Sequence, residues 1–270
     1  MDVAADLPAK RVVDLPVELD DDLGRSIRQA EAELGKRLVT RYRRAASGAL
    51  GSGYDTSDGP NAELMRMVAK AELEESKSST TGENVFTMVR KIGQAKAGLA
   101  ADYAAQLARS VGKVVFFAKH IDVMNQAEEA FARRDLKTIS IRGDQSAAFR
   151  QTQIDAFNND SEVSVAVCSL TAAGVGLNLQ AASNVVLAEL SWTAAEQTQA
   201  IDRVHRIGQE EPVTAWRIIA AQTIDSKIAE LIDSKQGLAA RALDGSDAEI
   251  TSSDSVQLDA LVHLLEQALS

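Results

Sequence analysis

The chain has a single cysteine among its 270 residues, Cys168, so no internal disulfide can form. No apolar run approaches the ~20 residues needed to span a bilayer, and the N-terminal stretch MDVAADLPAKRVVD lacks the apolar core of a signal peptide. These absences predict a reducing, cytoplasmic setting with no membrane partner. For the same reason the glycosylation pattern Asn159-Asp160-Ser161 is set aside. Basic residues are also in deficit: 29 Lys and Arg face 39 Asp and Glu, a net charge of −10. A surface broadly attractive to nucleic acid is thereby excluded, and any such contact must come from a local set of donors. Part of the acidity is segregated, because Arg241 is the last basic residue and 242–270 hold six acids.

Catalytic signatures are scarce as well. The three histidines, His120, His205 and His263, and Cys168 show no metal-ligand spacing. A phosphate-binding GxxxxGK[ST] is missing, since neither Gly35-Lys36 nor Gly112-Lys113 has a glycine five residues earlier. No Asp-Glu pair closes a strand in the way that would hold magnesium.

What is present falls into two textures. Residues 21–45 place Leu23, Ile27, Ala30, Leu34 and Leu38 at helical spacing, 47–60 form a glycine-rich loop, and helices follow near 61–76 and 84–109. From Lys113 the pattern changes to short continuous apolar runs: 113–118, 138–141, 163–168, 184–189 and 213–218. Helical segments at 121–133, 146–158 and 194–206, and another after 222, separate them. Such alternation predicts an α/β fold, a parallel sheet with helices on both faces, preceded by a helical region and followed by a C-terminal helix. The expected divisions are a linker (1–20), a helical region (21–110), the α/β lobe (111–242) and an acidic tail (243–270) with an amphipathic helix at 255–269.

Two segments carry chemistry. SLTAAGVGLNL (169–179) leaves the 163–168 strand, and its small residues let a ligand approach the backbone. Gly174 and Gly176 invite a dinucleotide reading with Glu189 as the ribose acid, but only seven residues separate Gly176 from the next strand, too few for a crossover helix. Ser169, Thr171 and Asn178 are its candidate polar contacts. QAIDRVHRIGQ (199–209) follows a capping box at Thr193–Glu196. On one continuous helix, Gln199, Arg203 and Arg206 would share a face, and Gly208 would end it. An isolated RxxR is usually a solvated face. Beside a glycine-lined loop, though, two permanently charged forks suit phosphate oxygens. His205 reads as a packing or hydrogen-bonding residue.

Together the motifs resemble the second RecA-like lobe of the sucrose-nonfermenting (Snf-two) family of DNA-dependent ATPases, in helicase superfamily two. The residues concerned are KVVFFAKHIDVM (113–124), IRGDQSAAFRQTQIDAFN (141–158), SLTAAGVGLNL and QAIDRVHRIGQ, over roughly 111–240. LPAK (7–10) is similar to the segment leading out of the first lobe. The resemblance implies that Arg203 and Arg206 are arginine fingers supported by Gln199, and that Gly174, Gly176 and Asn178 face the nucleotide. ATP and Mg would be held mainly by a first RecA-like lobe, in cis or trans. It further implies a DNA partner, double-stranded or branched, with Ser169, Thr171, Lys119, Arg142 and Arg150 as contacts, and residence with the nucleoid or in a nucleus. The lobe alone would not hydrolyse ATP. Two departures stand out: Glu189 replaces the family's usual Asp, and Ala173 its first motif glycine. AELSW and SLTAA are similar to the annealing-helicase branch. A free-standing, non-catalytic module that binds DNA or a motor protein remains the alternative.

Overall fold

The apolar runs become strands because each is short and buried on both faces of a sheet. The computed structural model describes residues 7–19, 21–47, 59–78, 82–174, 176–242 and 253–270. In it the runs are β2 (Val114–Ala118), β3 (Lys137–Ile141), β4 (Val163–Ser169), β5 (Asn184–Leu187) and β6 (Val213–Ala220). A further strand, β1 (Lys10–Val17), lies where a linker was expected. KRVVDLPV escaped notice because it is no continuous apolar run. Its exposed positions and Pro16 suit an edge strand that bonds on one side only. It pairs in parallel with β6, from Lys10 opposite Val213 to Val17 opposite Ala220. The sheet is all parallel, in the order β1-β6-β5-β2-β4-β3. This is the RecA-like α/β fold.

Two compact units divide the chain: Met1–Val17 with Gly93–Ala221, and Glu18–Ile92 with Gln222–Ser270. The chain passes from one to the other within α3 (Val85–Val111). The composition shift near 243, taken from the sequence as a boundary, falls inside the second unit. Residues 243–252 themselves lie outside the described residues, as do 48–58 of the expected loop.

In the sheet unit the two-residue strand period sends alternate side chains to opposite cores. Val114, Phe116, Val165, Val167 and Val186 pack on one face against an alanine stripe of α3 (Ala97, Ala100, Ala104, Ala108) and against α4 (Ile121–Ala132). Val115, Phe117, Ile139, Ile141, Ala166, Val185 and Leu187 pack on the other against Ile154 and Phe157 of α5 (Ala147–Asn159) and Ala200 and Ile201 of α6 (Ala194–Ile201). Between β4 and β5 runs only a 3-10 turn (Leu170–Gly174) and a loop. Leu177, Leu179 and Ala182 of that loop are buried in the second core, covering the sheet where a helix would otherwise lie. Cys168 is fully buried in β4, and burial pushes its thiol well above the ordinary value, so it is an inert packing residue.

The second unit packs α1 (Asp21–Ala46), α2 (Ala62–Ser78), α7 (Ile224–Ala242) and α8 (Ser253–Leu269) around Leu34, Leu38, Leu64, Ile228 and Leu261. Gly35 brings α1 close to α8: a methyl there would sit 3.1 Å from the Ala268 Cβ. Arg37 and Arg41 reach the buried Glu72 at 2.8 and 3.2 Å. Among the described residues no helix is long and apolar enough to cross a membrane.

Glu31 of α1 accepts the free Ile224 N–H at the start of α7, at 2.7 Å. Burial raises its pKa; the Ile224 bond opposes this, nearby Asp225 adds to it, and Arg28 opposes it. A raised carboxyl binds protons more readily folded than unfolded. Stability from this group therefore rises as pH falls from neutrality toward the raised value. Urea midpoints measured at stepped pH should show that rise in the wild type and a flatter profile in Glu31→Gln, which keeps the oxygen acceptor. An identical profile would remove Glu31 as its source.

Candidate functional site

Chain connections leave β2 toward β3 and β5 toward β6, in opposite directions, so the carboxyl ends of these two neighbours form the topological switch point. Glu189 stands there, 4% exposed. Its Oε2 accepts the Lys119 and His120 amides at 2.8 and 2.9 Å, and its Oε1 lies 2.7 Å from His120 Nδ1. His120 is the N-cap of α4 and makes no side-chain cap of its own, so the Glu189 carboxylate faces that helix start instead. The room it needs comes from Gly93 on α3, where any Cβ would collide with the carboxylate. Lys119 extends its ammonium over the Trp192 ring, 5.7 Å from the centroid. Burial lowers its pKa, while Glu196 and Glu189 oppose the shift.

The remaining carboxyl-end residues form a second small group. Ser169 Oγ and Thr171 Oγ1 are 2.8 Å apart, the first buried and the second exposed. Arg150, on α5, lies with NH1 3.5 Å from the Gly143 carbonyl. Arg142 is committed within the protein: it donates to both Glu128 oxygens at 2.9 and 3.0 Å, to Asn125 at 2.8 Å and to Ser140 at 3.0 Å. Its charge is neutralised, unlike that of an open phosphate donor.

The arginine segment departs from the sequence expectation. Thr193 does cap α6, accepting the Glu196 N–H at 3.3 Å. The helix, however, stops at Ile201 with Asp202 as C-cap, and 202–208 form successive turns. Gln199, exposed on the helix, and Arg203 and Arg206, in the turns, therefore share no helical face. Gly208 does not end the helix either, although its φ of +96° suits a glycine. The ladder tightens there, the Arg203 and Val204 N–H groups bonding three residues back to Ala200 and Ile201, and the Arg203 carbonyl beyond it accepts the Leu179 N–H at 3.0 Å. Val204 is fully buried in the sheet core.

The same turns bring the arginines to the glycine loop. Arg206 is exposed and donates through NH1 to the Leu177 carbonyl at 3.1 Å, leaving the rest of its five-donor fork for another acceptor. The Nε of Arg203 is buried with no hydrogen-bond partner. Gly176 has a φ of +45°, and Asn178 Oδ1 lies 3.4 Å from the Gln180 N–H. This cluster sits beside the amino ends of β5 and β6, whereas Ser169, Thr171, Lys119 and Arg150 lie at the carboxyl ends. Arg203, Arg206, Gly176 and Asn178 come together; Ser169, Thr171, Lys119 and Arg150 form a separate group, while Gln199 stands on α6, Gly174 ends the 3-10 turn and Arg142 stays with Glu128.

Gln209 was missed in the sequence. It is 7% exposed, and its amide donates to the Ala182, Gln180 and Val204 carbonyls at 2.8, 3.2 and 3.2 Å, while its Oε1 accepts the Glu211 N–H at 3.0 Å. One side chain thus ties the glycine loop to the arginine turn. The only signal was a polar residue directly after a glycine. Among the described residues no three His, Cys, Asp or Glu side chains converge as a metal site.

The fold is RecA-like, with Arg206 seated on the glycine loop and Arg203 in the same turn. Comparison with known proteins agrees: residues 99–208 match the helicase conserved C-terminal domain. The chain is 33% identical over 167 residues to the human DNA annealing helicase and endonuclease ZRANB3, covering 62% of this chain and 16% of that protein. It is 36% identical over 131 residues to an ATP-dependent helicase of Mycoplasma pneumoniae, covering 48% and 13%. The crystal structure of the C-terminal part of the Fun30 ATPase domain shares the fold, with a TM-score of 0.60 at 20% identity, covering 95% of this chain and 99% of that one. The matched segment is similar to the C-terminal lobe of superfamily-two helicases, those of the Snf-two family among them. It spans less than a fifth of the length of these curated relatives.

Two substitutions test the local architecture by urea denaturation. Gln209→Ala strands buried carbonyls and should cost about 1–3 kcal/mol. Gly93→Ala should cost about 1–3 kcal/mol by forcing Glu189 out of its three bonds. A loss below 0.5 kcal/mol (on the order of an ordinary surface change) in either variant would show that the contact concerned is not structural.

Proposed function

We propose that this chain is the second motor lobe of an ATP-dependent double-stranded DNA translocase. In this reading Arg203 and Arg206 are arginine fingers that stabilise charge on the γ-phosphate of ATP·Mg held by a first RecA-like lobe, in cis or trans. The observation that carries it is the seating of Arg206 on the Leu177 carbonyl, beside the buried, unpartnered Arg203 Nε. The donor set fits a phosphate: two permanently charged guanidiniums with donors to spare, on a turn bonded to a loop whose glycines keep the backbone open. ATP would supply the reactive phosphoanhydride and its metal. This chain would orient the terminal phosphate and offset its charge. Gln199, on α6 just ahead of the turn, supports the arginines from outside.

DNA contact is assigned to the carboxyl-end group, Ser169, Thr171, Lys119 and Arg150, acting on backbone phosphates. Arg142 joins it only if its Glu128 pair opens. The separation of the two groups supports a lobe in which nucleotide and DNA are contacted at opposite strand ends, linked by the 170–179 segment. Similarity to an annealing helicase favours branched DNA as the structure acted on, in the nucleoid or nucleus.

The test is DNA-stimulated ATP turnover by the chain alone and assembled with a first lobe. The chain alone should be silent and the assembly active. Arg206→Ala should lower turnover by about 10³–10⁵-fold while the chain still folds and unfolds cooperatively. Near-normal turnover in that variant would refute the finger assignment, and a non-catalytic binding module would take its place.

A further inference from the structure

His205 lies between the two arginines, and neither the turn nor the glycine loop uses its ring. Its Nε2 is 2.7 Å from the carbonyl of Pro8, in the segment just before β1. A carbonyl only accepts, so Nε2 carries the proton and donates, and protonation of the ring would leave the bond intact. Two more contacts fix the same segment. Lys10 pairs with Asp202 at 2.7 Å, and the Val213 N–H bonds the Ala9 carbonyl at 2.9 Å. Asp202 is the C-cap of α6, and the His205 N–H bonds the Ile201 carbonyl at 3.0 Å. The clamp is thus anchored to α6 on one side and to residues 8–10 on the other. Beyond it, β1 is an edge strand whose one neighbour in the sheet is β6, with Leu15 and Val17 packed on the core.

We infer that His205 is a positioning residue: with Asp202 it latches the Pro8–Lys10 segment to the turn bearing Arg203 and Arg206, so that movement of the chain entering β1 is passed to the guanidiniums. The geometry allows little slack. Three contacts of 2.7–2.9 Å hold three consecutive residues, and the two that come from the turn, at Asp202 and His205, grip a stretch of only 202–206 between a helix end and the Arg206 bond to Leu177. Displacing Pro8 therefore pulls on a ring whose chain neighbours on either side lead directly to the two arginines. The coupling role rests on the motor-lobe reading above. The existence of the latch does not.

Two measurements separate them. In the 270-residue chain, His205→Ala should speed hydrogen exchange at the Val213 and β1 amides at least tenfold, and His205→Gln, which restores an Nε2 donor, should slow it again. Unchanged exchange in His205→Ala would mean that there is no latch. In the assembly with a first lobe, His205→Ala should lower kcat at least tenfold with the KM for ATP nearly constant, and His205→Gln should recover most of it. Faster exchange with normal kcat would reduce the latch to a structural contact and overturn the coupling. Should Arg206→Ala retain turnover, the motor reading fails and takes the coupling with it, while the exchange result still decides the latch.

Discussion

After Gly176 only seven residues remain to reach β5, and they must both finish the crossing over β2 and cover the sheet face there. That length excludes a crossover helix, so the loop has to bury Leu177, Leu179 and Ala182 directly. A loop pressed onto a core cannot solvate its own backbone, and its polar groups must be met from elsewhere. The turn at 202–209 meets them: Arg203 offers a carbonyl to Leu179, while Gln209 and Arg206 supply donors to Ala182, Gln180 and Leu177. The arginines are brought to the glycine loop by the same bonds that make the loop stable. Site and fold share their hydrogen bonds.

The charge balance acquires meaning at this level. A chain with ten excess negative charges still presents cations locally, because most of its acids are on the helical unit or spent on specific partners. Glu72 takes Arg37 and Arg41, Glu128 takes Arg142, and Glu189 faces two amides and a histidine. Arg206 bonds only a neutral carbonyl, so its charge stays available. Glu189, where the resembled family usually has Asp, is accommodated in the same way. The longer carboxylate lies against Gly93, where α3 has no side chain to obstruct it.

Much of the sheet was legible because both-face burial leaves a plain mark: five continuous apolar runs became five strands, and the Thr193 cap appeared where its spacing put it. β1 left no such mark. An edge strand has one bonded side and exposed positions, so its sequence looks like a linker until β6 is beside it. The arginine segment failed for a different reason. Helical spacing from 194 to 206 is real, but spacing records which residues could share a face, not where the ladder tightens into turns.

The sequence by itself determined a parallel α/β sheet with helices on both faces and the residue types that would meet a phosphate, since these follow from local period and composition; the RecA-like class was implied by the resemblance of its motifs. Tertiary structure alone decided where the turn after α6 docks, that Gln209 and Glu189 are hubs, and that the candidate residues divide between the two ends of the sheet. The physical reason is common to all three. Each depends on hydrogen bonds between residues about 25 to 70 positions apart, whose partners no local pattern can name.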